Sequence, residues 1–408
     1  MRYGFNFIYI LTIIYLIKIY KQFFIIKLTA MESNDEIIVK NWDDLNLKTD
    51  LLRGIFAYGF EKPSEIQQKA ILPITQGKDV IAQAQSGTGK TGTFSISSLQ
   101  TIDIDKKESQ AIIISSTREL VMQIHDVVNK LGEFMDGLTT KLLIGGTSVS
   151  DDIQYLQSNK PHIIIGTPGR IFDMIRRRKL DVFPVKLFVL DEADEMLSVG
   201  FKDQIHSIFR YFNEKVQTAI FSATMPEEVI DLTNKFMNQP HKIIMKPQEL
   251  SLEGIKQTYI ATINDDEKYN WLKTLYDRIS LAQSIIFVND LNRVSDLYDA
   301  MKKDGFPVCH IHSGLQKDQR EKVLSDFKTG VYNVLISSNI TARGIDIQAV
   351  STVINFDIPR DVHTYLHRIG RSGRWGRKGQ AINFVSQRDI GTMKRIESHY
   401  KITIDEYS

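Results

Sequence analysis

The sequence predicts an α/β protein made of two doubly wound parallel-sheet domains in tandem, and three observations carry that expectation. A chain of 408 residues is too long for one ordinary core. Short, fully apolar β-branched runs alternate with longer helix-like stretches, the pattern of parallel strands covered on both faces. The alternation breaks near residue 246 and then begins again, which divides the chain into residues 1–40, 41–246, 247–254 and 255–408.

Residues 1–40 stand apart as a leader and tail. Met1 to Ala30 hold four cations, Arg2, Lys18, Lys21 and Lys27, and no acid. The clean apolar stretch from Phe5 to Ile17 is broken by Asn6 and is shorter than the roughly 18 residues that a spanning helix needs. Three readings are open: an artificial extension of the reading frame ahead of a start at Met31, which is preferred, a targeting segment with a signal-like core, or a membrane anchor. Without those four cations the net charge of +2 becomes −2, so bulk charge lends nothing to nucleic-acid binding. The single cysteine, Cys309, excludes a disulfide framework and fits a reducing compartment.

In the first domain the predicted strands are Asp79–Ala82, Ala111–Ser115, His162–Gly166, Leu187–Leu190 and Thr218–Phe221. Residues 247–254 contain Pro247 and Gly254 at their ends and no sustained period, and are expected to form a linker. The second set is Ser284–Val288, Val308–His312, Asn333–Ser337, Thr352–Phe356 and Gln380–Val385. Ligands of such sheets bind beyond the carboxyl ends of the strands, so chemistry-bearing residues should follow these runs.

They do. Ala84-Gln85-Ser86-Gly87-Thr88-Gly89-Lys90-Thr91 follows the first run and opens a helix-like stretch, the context of a phosphate loop. Glycines let backbone N–H groups approach phosphates, Lys90 bridges phosphate oxygens, and the Thr91 hydroxyl reaches Mg2+. Ala84 stands where the generic pattern has its first glycine. Asp191-Glu192-Ala193-Asp194 ends another strand, which sets carboxylates at the lip of the sheet. There Asp191 is suited to hold the metal and Glu192 to orient and deprotonate an attacking water.

Asp-Glu-Ala-Asp is the signature of the DEAD-box RNA helicases, and the chain resembles that family from Trp42 nearly to its end. The resemblance implies two RecA-like domains of the P-loop NTPase, superfamily 2 helicase type, RNA-stimulated ATP hydrolysis, and ATP and Mg2+ as cofactors. Gly59 to Gln67 resembles the family's Q motif, which implies nucleotide contacts from Lys62 and Gln67; an amide offers adenine a donor and an acceptor together. Trp42 stands where the family's base-stacking aromatic is expected. Ser222-Ala223-Thr224 resembles the motif that, with Asp194, couples nucleotide state to the rest of the site. His367 to Arg377 implies that Arg371 and Arg374 act as arginine fingers beside Lys90, Asp191 and Glu192, and Asp346 is implied to bond the ribose.

RNA contacts implied by the resemblance are Thr117, Arg118, Gly145, Gly146, Thr167, Arg170, Arg293, Arg320, Ser338 and Gly344. Such residues suit phosphate and 2′-OH contact, which positions a strand without reading its sequence. Arg176-Arg177-Arg178-Lys179 is read as solvated cations at a helix end.

Stretches such as Leu51 to Ile55, Tyr58 to Gln68 and Leu252 to Gln257 resemble the eukaryotic translation initiation factor four-A group. That implies a monomeric cytoplasmic clamp that locally unwinds mRNA near its 5′ end with an initiation-factor scaffold as partner, and no membrane role unless residues 1–30 are real. Other stretches resemble a splicing-linked nuclear relative, so a clamp that nucleates an assembly on spliced mRNA with little turnover is the alternative. Three positions depart from the family pattern: Ser116 for proline, Ser338-Asn339 for Thr-Asp, and Lys317 for glutamine. They are expected to alter loop stiffness and RNA grip.

Overall fold

Ile112-Ile113-Ile114 and Ile163-Ile164-Ile165 send alternate side chains to opposite sheet faces, and all six are fully buried. Strands buried on both faces need helices on both, which is the arrangement found. The structure is a computed structural model and describes residues 39–84, 87–198, 200–213, 215–245, 255–278, 283–312, 314–338, 350–372 and 379–407. The expected linker 247–254 and the leader up to residue 38 lie outside the described residues.

The first sheet comprises β1 (Val80–Gln83), β2 (Ala111–Ile114), β3 (Thr140–Leu143), β4 (Ile163–Gly166), β5 (Leu187–Asp191), β6 (Gln217–Ser222) and β7 (His241–Ile244). Their order is β3-β4-β2-β5-β6-β1-β7, and every pairing is parallel. The second comprises β8 (Ile255–Ala261), β9 (Ser284–Phe287), β10 (Val308–Ile311), β11 (Val334–Ser337), β12 (Thr352–Asn355), β13 (Gly379–Val385) and β14 (Asp405–Glu406). It runs β10-β11-β9-β12-β13-β8-β14, again all parallel.

All ten expected runs are strands. Sequence periodicity missed β3, β7, β8 and β14, which lie at or beside sheet edges, where solvent admits polar residues. In β7, His241, Lys242 and Ile244 are exposed and only Ile243 is buried. Inside the second sheet the register stacks Ile285, Leu335 and Val353 on one face and Ile286, Ile336 and Ile354 on the other, each set in its own apolar cluster. Cys309 belongs to the first of these clusters, and burial pushes its thiol up to about 12, which makes it inert.

Register also positions the chemistry. Gln83 pairs with Ser222 and Asp191 with Phe221, so the phosphate loop, the acidic run and Ser222-Ala223-Thr224 leave the sheet at one edge.

Candidate active site

The phosphate loop joins β1 to the helix Lys90–Thr101. Gly89 has φ +105°, and a Cβ there would lie 2.5 Å from Ser64 Oγ and 3.1 Å from Gln67 Nε2. Glycine is thus needed both for the left-handed backbone and for close approach. Gln67 fastens the two segments together: its Oε1 accepts from the Ser64 N–H at 2.7 Å and its Nε2 donates to the Gly89 carbonyl at 3.4 Å.

A cavity of about 620 Å³ opens over this loop. Gly87, Thr88, Gly89, Lys90, Thr91, Gln67, Asp191 and Glu192 line it, with Phe60 and Lys62 at the same wall and Arg371 contributed from beyond β12. Lys90 Nζ is buried 3.7 Å from Glu192 Oε1 and makes no hydrogen bond among the described residues. Asp191 Oδ1 and Glu192 Oε2 are also buried without a partner there. Buried polar atoms left unsatisfied are costly, so three of them converging on one cavity mark a place built for a polar ligand. The oxygen donors Thr91 and Asp191 both line it, which fits a hard cation such as Mg2+.

Charge is tightly balanced. Burial pushes Asp191 up to about 7, with Lys90 opposing and the Glu192 and Asp194 carboxylates adding to the rise. For Lys90, burial works to lower the pKa, yet Glu192, Asp191 and Asp194 outweigh it and hold the ammonium above its usual range. Asp194 shows the reverse balance: burial would raise it, but His367, Thr224 and Lys90 keep it far below the usual carboxylate range. Glu192 has φ +54°, a left-handed backbone that costs roughly 1–2 kcal/mol for a residue with a side chain.

Ser222 and Thr224 hold Asp194 in place. The Asp194 N–H donates to Ser222 Oγ at 3.2 Å, and Thr224 donates its N–H and hydroxyl to Asp194 Oδ2 at 3.1 and 2.6 Å. His367 Nε2, at the end of the helix Val362–Ile369, stands 3.6 Å from the same Oδ2. Glu192, Asp194 and His367 bring one donor atom each within 4.8 Å, and both Asp194 oxygens already accept hydrogen bonds, from Glu195 and Thr224. Arg371 follows the same helix, is 1% exposed and donates from Nε to the His367 carbonyl at 3.4 Å.

Several expected site residues lie behind the cavity or against carboxylates. Trp42 is not at the cavity: it is buried, stacks on Phe60 with centroids 6.2 Å apart, and donates from its ring N–H to the Phe60 carbonyl at 3.0 Å. Phe60 faces the cavity and Trp42 backs it, because an indole N–H buried in a core must find an acceptor. Arg170 is buried against Asp152 and also donates to Thr147 Oγ1 and its carbonyl. Arg293 forks onto Asp357 and Asp265. Arg320 pairs with Glu119 at 2.8 Å.

Thr117 caps the helix Arg118–Leu131 by accepting from the Leu120 N–H at 3.3 Å. Arg118 lies over the Gly145-Gly146 turn so closely that a Cβ on Gly146 would come 1.8 Å from its guanidinium. Thr167 begins the helix Pro168–Arg176 with no hydrogen bond from its side chain to the helix end, and Ser338 is nearly buried after β11. Gln85, Ser86, Gly344, Asp346 and Arg374 lie outside the described residues. Sequence reasoning missed His367 as a partner of Asp194, although it heads the run that contains both arginines. It also missed Asp152 and Arg368, whose guanidinium is wholly buried and bonded to Asn355, Asn289 and the Asp357 carbonyl.

The DEAD/DEAH box helicase family matches residues 64–232, and the helicase conserved C-terminal domain matches residues 267–376. The ATP-dependent RNA helicase eIF4A of Debaryomyces hansenii is 51% identical over 376 residues, covering 92% of this chain and 94% of that protein. The protein of the same name from Candida albicans gives the same identity and coverage. The structure of S. cerevisiae Dbp5 bound to RNA and ADP BeF3 is similar with a TM-score of 0.84 at 36% identity, covering 90% of this chain and 96% of that one. The chain belongs to the DEAD-box family of ATP-dependent RNA helicases, ATP-hydrolysing enzymes, within its eIF4A subfamily.

Proposed function

We propose that the protein is a two-domain clamp that closes on single-stranded RNA when ATP binds, unwinds short duplex locally, and reopens after hydrolysis. The observation that carries this reading is Arg371, which belongs to the second half yet lines the same cavity as Lys90 and Glu192. A catalytic group on each half makes turnover depend on closure, and closure on both ligands.

In this reading the loop from Gln85 through Thr91 cradles the phosphates with Lys90. Gln67 and Lys62 meet the base side of the nucleotide, with Phe60 as the ring that Trp42 supports, and Asp346 meets the ribose. Thr91 and Asp191 would hold Mg2+, which would supply positive charge against the phosphates. Glu192 takes the proton of the attacking water, and Arg371 and Arg374 meet the charge that develops. Asp194, Ser222 and Thr224, together with His367, report nucleotide state to the RNA face. There Thr117, Arg118, Gly145, Gly146, Thr167, Ser338 and Gly344 contact the strand. Arg170, Arg293 and Arg320 act chiefly through their carboxylate partners.

The eIF4A relatives support a cytoplasmic role in translation initiation on mRNA; a scaffold protein as partner and a monomeric chain are part of the proposal. Among the described residues no helix is long and apolar enough to cross a membrane. Glu192→Gln should abolish ATP turnover and trap a long-lived complex with ATP and RNA, measured by filter binding and phosphate release. Normal hydrolysis by that variant would refute the role given to Glu192.

A further inference from the structure

Ser116, which stands where the family pattern has proline, donates its hydroxyl to Glu195 Oε2 at 2.7 Å. Proline could not make this bond. Ser116 belongs to the loop after β2, next to Thr117 and Arg118, while Glu195 lies on the short helix Ala193–Ser198 that continues the acidic run. The Glu195 N–H donates to Asp194 Oδ1 at 3.0 Å, and Asp194 in turn holds Thr224 and faces His367. One residue beyond Arg118, Glu119 pairs with Arg320 of the second half. An unbroken line of bonds therefore runs from the contact between the halves at Asp194, through Glu195, to the loop expected to touch RNA.

We propose that Ser116 is a positioning residue that ties the RNA-contact loop to Asp194, so that nucleotide and RNA strengthen each other's binding through the Ser116–Glu195 bond. This rests on the reading of the site as an RNA-dependent clamp. When His367 meets Asp194, Glu195 moves with its neighbour, and the hydrogen bond passes that movement to Thr117 and Arg118. Linkage makes the effect reciprocal: RNA held by the loop biases Asp194 towards its nucleotide-bound position.

The test measures ATP turnover against polyuridylate concentration and against ATP concentration for Ser116→Ala, Ser116→Thr and Glu195→Ala. Loss of a hydrogen bond to a carboxylate should raise the half-saturating RNA concentration of Ser116→Ala about fivefold. Turnover without RNA, and the ATP KM measured without RNA, should not change. Saturating RNA should lower the ATP KM less in this variant than in the natural protein. Ser116→Thr keeps the hydroxyl and should restore coupling; Glu195→Ala, which removes the acceptor, should resemble Ser116→Ala, and the double variant should be no worse than either. Ser116→Ala with unchanged RNA dependence, or Ser116→Thr as impaired as Ser116→Ala, overturns the proposal while RNA stimulation of the natural protein stands. No RNA stimulation in the natural protein would remove the clamp reading and this proposal together.

Discussion

Around the phosphate loop, Lys90, Asp191 and Glu192 keep buried polar atoms without hydrogen-bond partners among the described residues, whereas Arg170, Arg293 and Arg320 each lie against a carboxylate. The two regions contain the same kinds of charged residue but use them in opposite ways. In the cavity, charges are placed in advance of a ligand at a cost to the folded state. On the face expected to meet RNA, Arg170, Arg293 and Arg320 are already partnered and, in the proposed reading, hold the backbone that would touch the strand. Substitutions in the cavity should therefore remove chemistry, and substitutions among the arginines should remove shape or closure.

Lys90→Met should have the largest effect, a loss of ATP turnover of about 10³-fold, as when a preorganised group facing developing charge is deleted. A loss below tenfold would mean that the buried ammonium is structural and would erase the contrast. Next comes Arg170→Ala. It leaves Asp152 with Lys141, 2.9 Å away, as its remaining ion-pair partner, and should cost roughly 3 kcal/mol in urea denaturation, as breaking a buried pair does. A cost under about 1 kcal/mol, accompanied by weaker RNA binding, would move Arg170 back among the direct RNA contacts. Arg320→Ala should be mildest, reducing RNA-stimulated turnover about fivefold, with a double-mutant coupling to Glu119 near 1 kcal/mol. Additive effects of the two substitutions would show that the pair contributes nothing to closure.

Much of this was legible in the sequence because parallel sheets deliver their loops to one edge: an acidic run and a glycine-rich loop that each follow an apolar strand must end up close together. The glycine positions were legible for a similar reason, since few other residues tolerate φ +105° beside Gln67. What could not be read was partnership across the fold. Asp152 lies 18 residues before Arg170 and Asp357 lies 64 after Arg293, and nothing in either local pattern announces the pairing. Trp42 illustrates the same limit. Its residue type suited a stacking role, but only packing reveals that Phe60 stands between it and the cavity. Three of the four edge strands, β3, β7 and β14, escaped as well, because solvent on one side removes the apolar signature that marks central ones.

The left-handed backbone at Glu192 has a consequence for anyone who screens variants for sturdiness alone. Glycine or asparagine there would relieve the torsion, and Lys90, though it loses one carboxylate, would keep Asp191 and Asp194, so a thermal-stability screen would select them early. The winners would express well, melt late and still take up nucleotide. They would also be unable to let go of what they had closed on, so the most robust descendants of this enzyme would be inhibitors of it.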